Sequence, residues 1–255
     1  MLVSCPKSGR DTADHLKTGG AETGQAGMEG LKSKVRFVQR GFGTIHQYGV
    51  LRAVPMALFE IFYETKFASK TTEIIPFDDM DIEEYFKRHG NIYIPCPYYF
   101  AHRAFKQLDV DYPASVFVDY GSGLGRMMFF ASQFPFRRII GVELSATLCA
   151  RASDTLAKYY RRLGKRSPEW QIVQSDAARF PVPGDANVFY FTDPFDEEIL
   201  GPVVTNIVAS TAEFKRPISV VYVNPGHPDV FLGHGFGVLI SEVNRHGKGY
   251  MILSR

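Results

Sequence analysis

Two carboxylates and three glycines carry the most chemistry in this sequence. Asp119-Tyr-Gly121-Ser-Gly123-Leu-Gly125-Arg126 sets glycine at every second position, and Glu143 follows in Gly141-Val-Glu143. Glycine tolerates the positive φ angles of a sharp turn and lets a ligand approach the backbone closely. The spacing is not the dinucleotide pattern Gly-x-Gly-x-x-Gly. A pyrophosphate resting on a helix N-terminus would be repelled by a carboxylate as near as Asp119, whereas a cationic amino-acid group would be attracted. Glu143 offers two oxygens to the hydroxyls of an unphosphorylated ribose, in charge-assisted bonds worth roughly 1.5–3 kcal/mol each. An adenosine with an amino-acid tail satisfies both acids, and S-adenosylmethionine is that molecule. The competing reading is a glycine-rich turn with no ligand.

These residues need a strand, a turn, a helix and a second strand to bring them together. Val116 to Val118 form a short apolar run suited to a buried strand. Met127 to Phe134 is apolar enough for a helix lying on a sheet, and Ile139, Ile140 and Val142 make the next strand. The unit is a nucleotide-binding βαβ.

The run from Asp119 to Arg126 with Gly141-Val-Glu143 resembles motifs I and post-I of class I S-adenosylmethionine-dependent methyltransferases. More narrowly, Phe117 to Ala152 resembles a largely uncharacterised bacterial group distantly related to the non-SET histone lysine methyltransferases. The resemblance extends from about Tyr63 to the C-terminus, is densest from Phe117 to Glu143 and is thin before Asn91. It implies a three-layer, Rossmann-like sheet of seven strands with a C-terminal antiparallel hairpin, and it implies methyl transfer. It also implies roles for individual residues. Tyr93 and Pro95 match a Tyr-x-Pro element that closes over the cofactor; a rigid linker is the alternative. Asp176 matches an acid that contacts the adenine amino group. Asp193-Pro194-Phe195 resembles the motif IV of amino-directed methyltransferases, where a polar oxygen and a ring position a nitrogen. It reads Asp-Pro-Phe, not Asp-Pro-Pro-Tyr, so a nucleobase acceptor is not implied. Capping of a helix starting near Pro194 is the alternative role for Asp193. Glu64 to Thr71 is similar to the family's acidic-basic-aromatic segment ahead of a threonine, but has Ala68 where glycine is expected.

Composition frames these motifs. The chain has 255 residues, 45% hydrophobic and 22% charged, which suits one α/β domain plus an extension. A formal net charge of +2 implies no strong nucleic-acid or membrane field. Cys5, Cys96 and Cys149 are far apart and lack metal spacing, as expected of reduced thiols in a cytoplasmic protein. No membrane span and no signal peptide core are read.

Residues 1–30 read as a flexible tail, 31–90 as an N-terminal helical extension and 91–255 as the methyltransferase domain. Lys32, Lys34, Arg36 and Arg40 form a light basic run, read as a solvated helix face before a phosphate-contacting patch. Val50 to Tyr63 reads as a helix packed on the domain, with a membrane-surface helix as the lesser alternative; Pro55 would suit its first turn. Asp78, Asp79, Asp81, Glu83 and Glu84 suggest a helix start rather than a calcium loop, and Gly90 an end. Helices are predicted over 98–108, 148–163 and 197–212, the second with a basic end including Lys165 and Arg166. Strands are predicted over 170–173, 187–191 and 218–223, with a hairpin of 238–243 and 250–253. His227 lies in a loop after the fifth strand and reads as a surface residue before an acceptor contact.

The expected function is methyl transfer from S-adenosylmethionine to an amine such as a protein lysine, with no metal. The alternatives are a non-catalytic S-adenosylmethionine-binding module and a nicotinamide-dependent oxidoreductase. The methyl acceptor, protein or small molecule, is not named by the sequence.

Overall fold

The computed structural model describes residues 50–164 and 168–255. The predicted tail, the basic run Lys32 to Arg40, Cys5, Lys165 and Arg166 lie outside those residues. Residues 50–255 cluster as one compact unit.

The chain enters through α1 (Val50–Phe67), α2 (Glu84–His89) and α3 (Tyr98–Gln107). It then alternates β1 (Val116–Tyr120), α4 (Arg126–Ala131), β2 (Arg138–Glu143), α5 (Ala146–Leu163) and β3 (Glu169–Gln174). After β4 (Ala186–Phe191), α6 (Glu197–Glu213), β5 (Ser219–Val223) and α7 (Pro228–Gly233), it closes with β6 (Gly237–Val243) and β7 (Gly249–Ser254). The seven strands run in the order β3-β2-β1-β4-β5-β7-β6. β1 to β5 are parallel, and β7 lies antiparallel between β5 and β6.

The central strands are continuous apolar runs because helices cover both faces. All five residues of β1 are buried. Val118, Tyr120, Phe189 and Phe191 face Ile199, Leu200, Val203 and Val204 of α6. Phe117 and Tyr190 point the other way, where both pack on Phe105 of α3. Rings continue that layer outward, Phe105 meeting Phe130 and Phe67 meeting Tyr98 and Phe129. Sequential strands run outward from β1 through β2 to β3 and from β4 to β5, so the order reverses between β1 and β4. Their C-terminal ends border the crevice where open α/β sheets bind ligands.

Several boundaries differ from the sequence reading. α4 stops at Ala131, short of Phe134, because Pro135 disfavours helical backbone before it; Ser132 instead donates its hydroxyl to the Phe129 carbonyl at 2.6 Å. Pro55 sits inside α1, beyond the first described turn. The acids after Phe77 do not start one helix. Asp78 and Asp79 lie in a short 3-10 turn, and Asp81 accepts from the Ser145 hydroxyl at 2.5 Å and the Thr147 amide at 3.0 Å, at the start of α5. α7 was not anticipated, although Pro228 at its first turn is a helix-start signal. No helix among the described residues is long and apolar enough to cross a membrane.

α1 grips the domain by one side only. Tyr63 and Phe67 are buried, whereas Leu51 is 93% exposed and Leu58, Ile61 and Phe62 are exposed too. Beyond its C-terminus, Ala68 and Lys70 take φ of 51° and 52°. The glycine expected at 68 therefore falls on a left-handed residue. A side chain there costs about 1–2 kcal/mol, against roughly 0.5–1 kcal/mol for the extra unfolded-state freedom of glycine. Ala68→Gly is expected to raise stability by about 0.5–1 kcal/mol, seen as a higher urea midpoint at unchanged slope. A lower midpoint would show that Ala68 is not strained.

Candidate active site

Each glycine of the loop between β1 and α4 meets a different neighbour. Gly121, Gly123 and Gly125 have φ of 71°, 53° and 74°. A Cβ on Gly121 would lie 2.7 Å from Pro194 Cβ, and one on Gly125 would lie 2.8 Å from Leu156 Cδ1. A Cβ on Gly123 would overlap the ring of Tyr93. Nothing larger than glycine fits at any of the three. The loop is thus bounded by Pro194 at one side and by Tyr93 above its middle.

Glu143 closes the loop from β2. Its Oε2 accepts from the Gly123 amide at 2.8 Å and its Oε1 from the Ser145 amide at 3.0 Å. Both oxygens therefore already have a backbone partner, which the sequence did not suggest, and each keeps a further lone pair. Burial raises the Glu143 pKa, and the amides of Ser145 and Gly123 oppose that rise. Asp119 is 4% exposed, and no hydrogen bond reaches its carboxyl group among the described residues. Burial first, and the charge of Glu143 second, push its pKa well above the ordinary carboxylate range. The Ser122 hydroxyl in the same loop is likewise buried without a partner.

Asp176 follows β3 at the same edge, where its Oδ1 accepts from the Ala178 amide at 3.0 Å. Asp193 follows β4 with φ of 45°, left-handed backbone that aspartate adopts more readily than most residues other than glycine. It caps no helix. Asp196 does, accepting from the Glu198 amide at 3.1 Å at the start of α6. The Asp193 Oδ1 accepts from the Tyr222 hydroxyl at 3.0 Å and the Gly226 amide at 3.1 Å. Its backbone carbonyl accepts from Asn91 Nδ2 at 2.6 Å, and Asn91 also donates its amide to the Pro194 carbonyl at 3.1 Å. Gly90 bridges Phe195. The segment before α3 therefore lies across the whole Asp-Pro-Phe turn. His227, read as a surface residue, approaches Glu197 at 3.7 Å, and its amide donates to the Tyr222 hydroxyl at 3.3 Å.

The cluster around Arg126 was not anticipated, although Glu64 and Thr71 of the segment singled out above both belong to it. This first residue of α4 is 2% exposed. It donates Nε to the Cys96 carbonyl at 2.7 Å, and Nη1 to Glu64 at 2.6 Å and to the Thr71 hydroxyl at 2.9 Å. Nη2 pairs with Glu60, and the guanidinium lies 3.7 Å from the centre of the Tyr98 ring. Burial alone would lower its pKa; Tyr98, Glu60, Tyr93 and Glu64 together raise it, so the charge is held. The Thr71 hydroxyl donates to Glu64 at 2.8 Å, and the Thr71 carbonyl accepts from the Tyr93 hydroxyl at 2.9 Å. Arginine after a glycine loop could have been flagged as a buried cation needing acids, but nothing local names Glu60 and Glu64. Burial lifts the Cys96 thiol to about 11 and the Cys149 thiol to about 12, so both stay protonated. Among the described residues no three His, Cys, Asp or Glu side chains gather as a metal site.

The Asp119 carboxyl makes a pH-dependent prediction. Its folded pKa is raised, so the folded chain holds a proton that the unfolded chain releases above roughly pH 4. The charged form then destabilises the fold increasingly as pH rises from there through the folded pKa. Asp119→Asn should stabilise the ligand-free protein by roughly 1–3 kcal/mol near neutral pH, with the gain shrinking towards pH 4. Equal melting temperatures for variant and parent across that range would show that Asp119 is not buried as a charge.

Residues 72–179 match the model of a family described as histone methylation protein DOT1. Curated proteins give no match. Similar solved structures include a SAM-dependent methyltransferase from Aquifex aeolicus, at 10% identity and TM-score 0.46, covering 60% of this chain and 87% of that one. The methyltransferase domain of a bacterial Hen1 is similar at 18% identity and TM-score 0.44, covering 60% and 94%. Magnesium protoporphyrin IX methyltransferase from Synechocystis, crystallised with SAM, is similar at 14% identity and TM-score 0.42, covering 62% and 75%. The matched segment spans the glycine loop, β2 and Asp176, within a seven-stranded sheet whose last hairpin places β7 antiparallel between β5 and β6. The part of the chain that matches a methylation family is therefore the part that builds the glycine loop and its acidic edge.

Proposed function

We propose that the chain is a class I S-adenosylmethionine-dependent methyltransferase that acts on an amine nitrogen, such as the side chain of a protein lysine, at the turn Asp193-Pro194-Phe195. The observation that carries the reading is the anchoring of Asp193. A left-handed backbone, two donors to Oδ1 and a clasped carbonyl hold one carboxylate oxygen, and leave Oδ2 without a hydrogen bond among the described residues. Such over-determination is typical of a group held for chemistry rather than for packing. The matched family's description, histone methylation, also names a protein acceptor for that family.

The residues around the glycine loop suit the cofactor. Asp119 is nearly buried with no hydrogen bond to its carboxyl group among the described residues, and the Ser122 hydroxyl beside it is buried without a protein partner, as a site for a cationic amino-acid group would be. In the proposed assignment Asp119 faces that group, Gly121, Gly123 and Gly125 allow backbone approach, Glu143 takes the ribose hydroxyls, Asp176 the adenine amine, and Tyr93 covers the loop. S-adenosylmethionine supplies a methyl group already activated on a sulfonium. What remains for the protein is alignment and an uncharged nucleophile. Asp193 accepts a hydrogen bond from the incoming amine and orients its lone pair. Pro194, packed on Gly121, and the half-buried Phe195 fix that carboxylate relative to the loop. A poorly solvated pocket lowers the amine pKa and favours its neutral form.

Two measurements test this. S-adenosylmethionine at about a hundred times its dissociation constant should add roughly 2.7 kcal/mol to stability, and NAD nothing; stabilisation by NAD alone would support the oxidoreductase. Asp193→Asn keeps an oxygen for Tyr222 and Gly226 but loses the charge. It should retain cofactor affinity and melting temperature, with transfer to amine acceptors reduced about tenfold or more. Full transfer by the variant would remove Asp193 from the chemistry, and cofactor binding without transfer to any acceptor would favour the binding module.

A further inference from the structure

The family match begins at residue 72, yet the glycine loop is held by residues before it. Thr71 stands at the junction. Its hydroxyl donates to Glu64 at 2.8 Å and accepts from Arg126 at 2.9 Å, while its carbonyl accepts from the Tyr93 hydroxyl at 2.9 Å. Both partners bear on the loop. Arg126 is bonded directly to Gly125, and the Tyr93 ring lies on Gly123 where a Cβ would be. Ser69 adds a second tie, donating to Glu64 at 3.0 Å. The turn carrying these residues has two non-glycine residues, Ala68 and Lys70, in left-handed backbone, a state that persists only where surroundings enforce it.

We infer that Thr71 is a positioning residue for the cofactor site, a strap that ties α1 to the glycine loop through Glu64, Arg126 and Tyr93. It touches neither cofactor nor acceptor. Its hydroxyl fixes the place of its own carbonyl, and that carbonyl fixes the ring over Gly123. Cofactor affinity therefore depends on a helix outside the segment that matches the family. The inference rests on the cofactor assignment of Tyr93 and the glycine loop.

The test is calorimetric affinity for S-adenosylmethionine and its demethylated product, with melting temperature measured alongside. Thr71→Val keeps the shape and the carbonyl but removes the hydroxyl; Thr71→Ser keeps the hydroxyl; Tyr93→Phe keeps the ring but releases the carbonyl. Thr71→Val and Tyr93→Phe should each weaken binding about fivefold to tenfold. Thr71→Ser should bind within about twofold of the parent. The double variant Thr71→Val/Tyr93→Phe should bind little worse than the weaker single, because both act through one strap. A lower melting temperature with unchanged affinity in Thr71→Val would overturn the inference, as would additive losses in the double variant. Absence of binding by the parent chain would instead overturn the cofactor assignment on which the strap depends.

Discussion

The fold around the glycine loop depends on one buried charge. Arg126 cannot be removed from water without partners, because an unpaired guanidinium in such a place costs several kcal/mol. Four acceptors and a ring face surround it, drawn from α1, the turn after α1, the segment before α3 and the first residue of α3. None of these pieces adjoins α4 in sequence. The charge thus acts as a point of assembly: α1 docks where its carboxylates meet Arg126, and Cys96 and Tyr98 settle where the guanidinium needs them. Replacing one acid would leave Arg126 paired with the other, so both carboxylates together anchor α1 more firmly than charge balance alone requires. The same residue begins the helix that follows the glycine loop, so the solution to its burial also sets the loop.

The glycine loop shows the complementary constraint, space rather than charge. Gly121 yields to Pro194, Gly123 to Tyr93 and Gly125 to Leu156. Pro194 belongs to the turn after β4, and Tyr93 to the segment that bridges Ile75. Three stretches of chain therefore meet at atoms that only a missing side chain allows. Beside them, the uncompensated burial of Asp119 works against stability in the ligand-free chain. Functional sites commonly carry such a cost, which a bound cation of the right shape would offset.

Much of this was legible because it is local. The glycine spacing, the apolar runs of β1, β2 and β4 and the terminal hairpin are short-range patterns, and they placed the sheet and its switch point correctly. Ala68 was legible in an indirect way: the glycine expected there marked a left-handed residue, which the structure has. What the sequence could not show depends on distant partners. Two aspartates stand in Asp193-Pro-Phe-Asp196, and composition alone cannot tell which one caps α6. The acidic partners of Arg126 lie far upstream, 62 residues away for Glu64 and 66 for Glu60. Glu143 was read as two free oxygens, yet its amide donors come from the very loop it closes and from the residue two places on.

The strand order has a consequence for how the sheet is completed in time. β6 is made before β7 but touches the sheet only through it, since β7 lies between β5 and β6. Until Gly249 to Ser254 have been synthesised, β6 has no strand to pair with, and β5 presents Val220 to Val223 at an open edge. These are among the most deeply buried residues of the finished domain. A nascent or truncated chain that lacks β7 therefore exposes a sticky parallel-sheet edge and loses two strands rather than one, making this late segment the one on which escape from aggregation turns.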